Sequence, residues 1–323
     1  MYKIYDDWPG MAKNAYEKDY GNLGYSGIDH IVFVGMGGSG AIGDIFSAIL
    51  SKRNIHVSIV KGYTLPKTVD ENTLVIVTSI SGNTVETLTA LDSAQKLECK
   101  IIAFSSGGKM MDFCKEREIN YHKIPLIHSP RASFPNFLYA MLKILESILP
   151  IEKTSILESI TQLEKLKKEI FSGNNSDNNS SIKLAKWIED IPLLYYPWGL
   201  QAASIRFKNS LQENAKMHVI SEDIIEACHN GIVAWEKKSK VKPILIQGPN
   251  DFIKTKERWD IVKEFFKEKE IDYWEIKSIE GDILTKLITL IYFFDYTSIY
   301  KAILTNIDPS PIKSIDFVKN RLE

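Results

Sequence analysis

His30-Ile31-Val32-Phe33-Val34-Gly35-Met36-Gly37-Gly38-Ser39-Gly40 is the stretch that decides the fold. It opens as a short apolar β-rich run and ends in glycines. The segment that follows, AIGDIFSAILSKR, places Ile42, Ile45, Phe46, Ile49 and Leu50 at helical spacing. A strand apolar on both faces that breaks through glycine into a helix is one βα unit of a parallel sheet covered on both sides. Working outward, the same unit recurs in NIHVSIVKGY from Asn54, in TLVIVTSISGN from Thr73 with the helix TVETLTALDSAQKL, and in KIIAFSSGGK from Lys100. Right-handed crossovers then put every strand-to-helix loop on one edge of the sheet.

FLYAMLKILESIL, from Phe137 to Leu149, predicts a helix that closes this half, and a charged helix is expected from Ser155 to Ile170. The polar tract SGNNSDNNSS, from Ser172 to Ser181, reads as a mobile loop or hinge, because it has almost nothing to bury. Beyond it the pattern returns more faintly. IPLLYYPWG, KMHVISED, KPILIQGPND and YWEIKSIEG are the candidate strands, and ERWDIVKEFFKEK and ILTKLITLIYFFDYTSIYKAIL the clearer helices. The expected architecture is α/β: two doubly wound parallel-sheet modules, residues 1–152 and 153–323.

Composition narrows the classes of function. The 323 residues carry a formal net charge of −1, with 44% apolar residues, so no bulk field favours nucleic acid or a membrane surface. Cys99, Cys114 and Cys228 are scattered without a CxxC, which points to reduced thiols and away from disulfides or zinc. The first residues lack an apolar signal core, and LITLIYFF, from Leu287 to Phe294, falls short of the ~20 residues of a spanning helix. A cytoplasmic chain with no membrane partner is the expectation.

The glycine loop Gly35–Gly40 satisfies GxGxxG, yet NIHVSIV ends in Lys61-Gly62-Tyr63 and not in the acid that a nicotinamide ribose requires. Ala41 stands where a nucleophile elbow needs glycine, and no Gly-Lys-Ser/Thr follows for a Walker loop. A second loop tips the balance. Thr78-Ser79-Ile80-Ser81-Gly82-Asn83-Thr84 follows its own strand and opens its own helix. Hydroxyls and unpaired N–H groups at a helix start favour an anion. Gly38, Ser39, Ser79, Ser81 and Thr84 are therefore the candidate cradle for one phosphate. Helix capping alone is the bland alternative. With no lysine in either loop, the phosphate reads as a handle on the substrate and not as the group transferred.

GMGGSGAIGD, SISGNTVETL, FSSGGK, HSPRASF, RFKNSLQENAK, EACHNGI and NIDPSPIKSIDFVKNRL together resemble the bifunctional phosphoglucose/phosphomannose isomerase family, built from two sugar-isomerase (SIS) domains. The resemblance implies two SIS-type, flavodoxin-like or Rossmann-like modules acting on sugar 6-phosphates, with no cofactor and no metal. It implies Glu213 as the base that moves a proton between C1 and C2. It further implies His229 and Lys319 as the ring-opening pair, Arg131 as the cation facing the enediolate, and a homodimer whose active site is shared. A non-catalytic sugar-phosphate regulator and an aminosugar-phosphate isomerase are the alternatives. Family members have Tyr where Ile80 stands, and small residues where Phe134 stands. These two departures are expected to touch the pocket wall, and together with the Asp308-Pro309-Ser310-Pro311 turn to bear on substrate preference.

Overall fold

In the computed structural model, which describes residues 1–174 and 178–322, the chain separates into two units. One comprises Ile4–Glu164 with Asp282–Thr285, the other Lys165–Gly281 and Lys286–Glu323 with Met1–Lys3.

The amino-terminal part runs α1 (Tyr2–Asp6), α2 (Trp8–Glu17), β1 (His30–Val34), α3 (Gly37–Leu50), β2 (His56–Val60), β3 (Thr73–Ser79) and α4 (Val85–Gln95). It continues with β4 (Lys100–Ser105), α5 (Gly108–Glu116), β5 (Asn120–Lys123), α6 (Phe134–Leu145) and α7 (Lys153–Ile170). The sheet order is β2-β1-β3-β4-β5 with every pair parallel. This is the flavodoxin-like order, whose direction of winding reverses between β1 and β3. Both faces are dry. Val32, Val34, Val75 and Val77 pack with Leu91, Ala94, Met110 and Cys114. On α3, Phe46 stacks on Phe33 with centroids 5.0 Å apart. Gly43 lets α3 lie this close, since a Cβ there would meet the Phe33 Cβ at 3.0 Å.

The second unit adds α8 (Ser180–Trp187), β6 (Ile191–Tyr196), α9 (Gln201–Ala215), β7 (Ile220–Asp223), α10 (Ile224–Ala227) and a 3₁₀ turn, Gly231–Glu236. Then follow β8 (Val241–Gln247), α11 (Ile253–Glu268), β9 (Trp274–Lys277), α12 (Ile283–Leu304) and α13 (Lys313–Leu322). Its sheet, β7-β6-β8-β9, is again parallel. Leu193, Tyr195 and Leu245 bury one face with Trp235, Trp259 and Phe266. On α9, Phe207 stacks on Phe294 of α12 at 4.2 Å. Beside that stack the Arg206 Nη2 donates to Asp295 Oδ2 at 2.7 Å and Ser210 Oγ donates to Asp295 Oδ1 at 2.5 Å. Asn214 Nδ2 donates to Ser298 Oγ at 2.8 Å one turn on. The charges at Arg206 and Asp295 are dry and paired, and removing either partner from such a pair typically costs about 3–5 kcal/mol.

Two expectations change. The helix expected at ILTKLITLIYFFDYTSIYKAIL forms as α12, but it is not too short to span: by length and composition it could cross a membrane, and 83% of its apolar window is buried inside the protein, as for a core helix. The polar tract is folded at its far end. Asn179 is fully buried and caps α8 through Oδ1, which accepts from the N–H groups of Ser181 and Ile182. Residues 175–177 of that tract lie outside the described residues.

At the amino edge of the first sheet the register sets His30 directly against His56, and the rings stack at 4.4 Å. His30 is 6% exposed, hydrogen-bonds Ser58 Oγ through Nε2 and Thr73 Oγ1 through Nδ1, and faces Asp29, Thr68 and Asp70. Burial, then the neighbouring His56, lowers its pKa below the usual 6.5 despite the two acids. A base with a depressed folded pKa binds fewer protons than the unfolded chain just below 6.5, so this contribution to stability is full above that value and lost as pH falls through the folded pKa. Thermal unfolding followed between pH 7.5 and 5.5 should show a smaller acid-side loss in His56→Gln than in the wild type; equal slopes would refute the coupling.

Candidate functional site

The loops after β1 and β3 flank the point where the first sheet reverses its winding, the usual crevice for a ligand in this topology. Neither helix that starts there carries a side-chain cap. Met36 precedes α3, and Thr84 precedes α4 with its hydroxyl turned elsewhere. Gly37 adopts φ +52°, which lets the chain swing from strand into helix and leaves Gly38 half-buried in the first turn.

One hydrogen bond joins the two loops. The Ile80 N–H donates to Ser39 Oγ at 3.2 Å, and the Ser39 hydroxyl is thereby held between them. The Ser79 hydroxyl, 1% exposed, lies beneath the second loop, bonded to Thr84 Oγ1 at 3.0 Å and accepting from the Gly82 N–H at 3.1 Å. Ser81 and Thr84 are half-buried and nearer the solvent, and Ser81 Oγ accepts from the Asn83 N–H at 3.3 Å. Thus the structure brings Ser39, Ser79 and Thr84 together through backbone and hydroxyl bonds, with Gly38 and Ser81 at the rim. The arrangement offers neutral donors at two helix starts, which suits an oxyanion.

The expected pocket-wall departures lie in the core instead. Ile80 is 2% exposed and Phe134 fully buried, tilted against Trp8 at 6.1 Å, so both side chains act through packing. Arg131, 7% exposed, sits in the bend before α6. That bend is locked. Ser133 Oγ accepts from the Ile127 N–H at 2.7 Å, and Trp8 Nε1 donates to the Ala132 carbonyl at 3.0 Å.

Glu213, His229 and Lys319 belong to the other unit. Glu213 is half-buried on the last turn of α9, twelve residues along, which is about 18 Å from its start. The crossover from β6 to β7 runs back along the sheet, so Glu213 lies near the edge where β7 begins. His229 follows the far end of β7 and is exposed. A single chain therefore holds these two groups at opposite edges of the second sheet. The His229 turn is built by its neighbours: Asp223 caps α10, Asn230 Nδ2 donates to Glu226 Oε1 at 3.0 Å, and Asn230 Oδ1 accepts from the Gly231 N–H at 2.5 Å. Lys319 lies on α13, which buries none of its residues in the single chain.

Lys216, the residue that caps the end of α9, carries no motif in the sequence. In the left-handed conformation at φ +56°, it donates through Nζ to the Glu213 carbonyl at 2.5 Å and to the Pro311 carbonyl at 2.7 Å. It thus ties the end of the Glu213 helix to the root of the Lys319 tail. Only the αL cap at the end of α9 could have signalled it. Among the described residues, no three His, Cys, Asp or Glu side chains converge as a metal site.

The bacterial phospho-glucose isomerase C-terminal SIS domain matches residues 177–322, and the SIS domain matches residues 25–123. The bifunctional phosphoglucose/phosphomannose isomerase of Caldicellulosiruptor bescii is 32% identical over 337 residues, spanning 100% of this chain and 98% of that protein. This chain belongs to the bifunctional phosphoglucose/phosphomannose isomerase family. The Aquifex aeolicus member is 30% identical over 98% of this chain and 94% of its own length. A hypothetical protein from Thermus thermophilus, 12% identical, superposes over 98% of this chain and 89% of its own with a TM-score of 0.73, which speaks to the fold alone.

In this member of the family the second loop has little freedom. Gly82 stands at φ +74°, and a Cβ there would come within 1.8 Å of the Gly107 carbonyl oxygen. Strain and overlap together should make Gly82→Ala cost about 3 kcal/mol or more in denaturant unfolding. A variant as stable as wild type would show that the loops are not held so tightly.

Proposed function

We propose that this chain interconverts glucose 6-phosphate, and mannose 6-phosphate, with fructose 6-phosphate through a cis-enediolate and without a metal. The observation that carries the reading is full-length membership of a family named for both isomerisations, in a chain that retains a hydroxyl-lined cradle at its switch point. In this reading residues 1–152 form the first SIS domain and grip the phosphate, and residues 153–323 form the second, with the catalytic tail. Gly38, Ser39, Ser81 and Thr84 take the phosphate, with Ser79 acting through Thr84.

The chemistry then falls to groups that touch the sugar. His229 takes the hydroxyl proton as the ring opens, and Lys319 supports the departing ring oxygen. The Glu213 carboxylate removes the proton from C2 and returns it to C1. Arg131 faces the charge that appears only on the way to the enediolate; losing one such donor typically costs ~10²–10³ in rate. The opposite placement of Glu213 and His229 supports a site completed by a second copy of the chain, each subunit lending its histidine to the other. The exposed, amphipathic α13 fits the same assembly. Sugar-phosphate isomerisation also suits a cytoplasmic location.

A coupled assay with glucose 6-phosphate and with mannose 6-phosphate, on protein dialysed against EDTA, tests the reading directly. Turnover of both without added metal is expected. Activity lost to the chelator and restored by zinc would overturn the mechanism. Glu213→Gln should keep fructose 6-phosphate binding and lower kcat by about 10³-fold; a variant with wild-type turnover would remove Glu213 from its role. Ser81→Ala with Thr84→Val should raise KM about tenfold, the scale of one or two lost hydrogen bonds to a charged group. An unchanged KM would discard the cradle.

A further inference from the structure

The loop between β4 and α5 has no part in the proposed contacts, yet it is closely fitted to the phosphate loop. Hydrogen bonds and close backbone approaches join the two. The Ser106 N–H donates to the Ile80 carbonyl at 3.1 Å and the Met110 N–H to the Gly82 carbonyl at 2.9 Å. Asn83 reaches both ways: Oδ1 accepts from the Lys109 N–H at 3.0 Å, and Nδ2 donates to the Ser81 carbonyl at 3.4 Å. The Asn83 N–H in turn donates to Ser81 Oγ. Gly108, at φ +68°, permits this, because a Cβ there would meet Asn83 Oδ1 at 2.6 Å and the Ser81 carbonyl oxygen at 2.9 Å. Behind the loop, Ser105 Oγ donates to the Gly107 carbonyl at 2.8 Å and is bonded to Tyr121 of β5 at 3.0 Å.

We infer that Asn83 is a positioning residue for the phosphate cradle. Its side chain clamps Ser81 to the β4–α5 loop, so that the donors of Ser81 and Thr84 are aimed before a ligand arrives. The inference rests on the phosphate reading above. Donors fixed in advance lose little entropy on binding, and a clamp of this kind therefore acts on affinity. Asn83 itself is exposed, so its removal should leave stability almost unchanged. The phosphate is remote from the carbons that react, so the effect should fall on binding and not on the chemical step.

The test is calorimetric titration of fructose 6-phosphate into wild type, Asn83→Ala, Gly108→Ala and the double variant, with turnover and thermal midpoint measured on each. Asn83→Ala should weaken binding about tenfold, with kcat at saturation within about twofold and the midpoint unmoved. Gly108→Ala, where it folds, should weaken binding similarly, and the double variant should bind no worse than the weaker-binding single, because both changes release one clamp. Equal dissociation constants for wild type and Asn83→Ala would overturn the inference and leave the isomerase reading intact. Wild type that binds the sugar without turnover would overturn the isomerase reading, while the ratio of dissociation constants still decides the clamp. Wild type that does not bind the sugar would remove both.

Discussion

A parallel pair of strands must begin at one edge of its sheet and end at the other, and β1 and β3 are such a pair. Their following loops have no choice but to open side by side. The bond from the Ile80 N–H to Ser39 Oγ then turns two neighbouring loops into one floor. Much of the first unit serves this geometry: valines that need no polar partner fill one face, and glycines at 35, 40, 82 and 108 let backbone approach backbone where a side chain would intrude. The floor that results is made of dipoles and hydroxyls already bonded to one another, not of flexible cations.

The second unit repeats the sheet and changes the use. Its strand ends carry no matching run of serines. What matters there is the helix α9, whose inner face holds Arg206, Phe207, Ser210 and Asn214 against α12. A dry ion pair fixes register more sharply than an apolar contact, because a slip of one residue would leave a bare charge in the core. Glu213 inherits that register, and Lys216 extends it to the segment that leads into α13. In this unit Glu213 is placed by the core and His229 by a capped surface turn.

Most of the first sheet, and the hydroxyl residues gathered at one of its edges, are legible in the sequence for a clear physical cause. Apolar strands that end in glycine and hydroxyl residues announce both the strand and the edge where its loop lies, and Ser39, Ser79, Ser81 and Thr84 follow from that alone. What escaped lacks such contrast. β5 is Asn-Tyr-His-Lys, a four-residue edge strand with no apolar run, and it is specified by pairing with β4. Pro9-Gly10 disguises α2 as a turn, although proline is welcome in a first helical turn and the helix packs closely on α6. Asn179 looked like one polar residue among many until Tyr300 and the start of α8 closed around it. Glu213 could not be chosen from 41 acids by spacing, and Lys216 depends on a left-handed residue that no pattern displays.

The burial of α12 has a consequence for how the chain is made. A 22-residue segment this apolar, leaving the ribosome, resembles a bilayer span. Asp295 near its middle argues otherwise, since an acid at the centre of a membrane helix costs about 3 kcal/mol. Its counter-ion, Arg206, lies on a helix synthesised almost ninety residues earlier, so the partner that neutralises Asp295 already exists when the segment emerges. One ion pair thus registers two helices and sets, in the middle of an otherwise lipid-compatible stretch, a charge that protein neutralises and lipid would not.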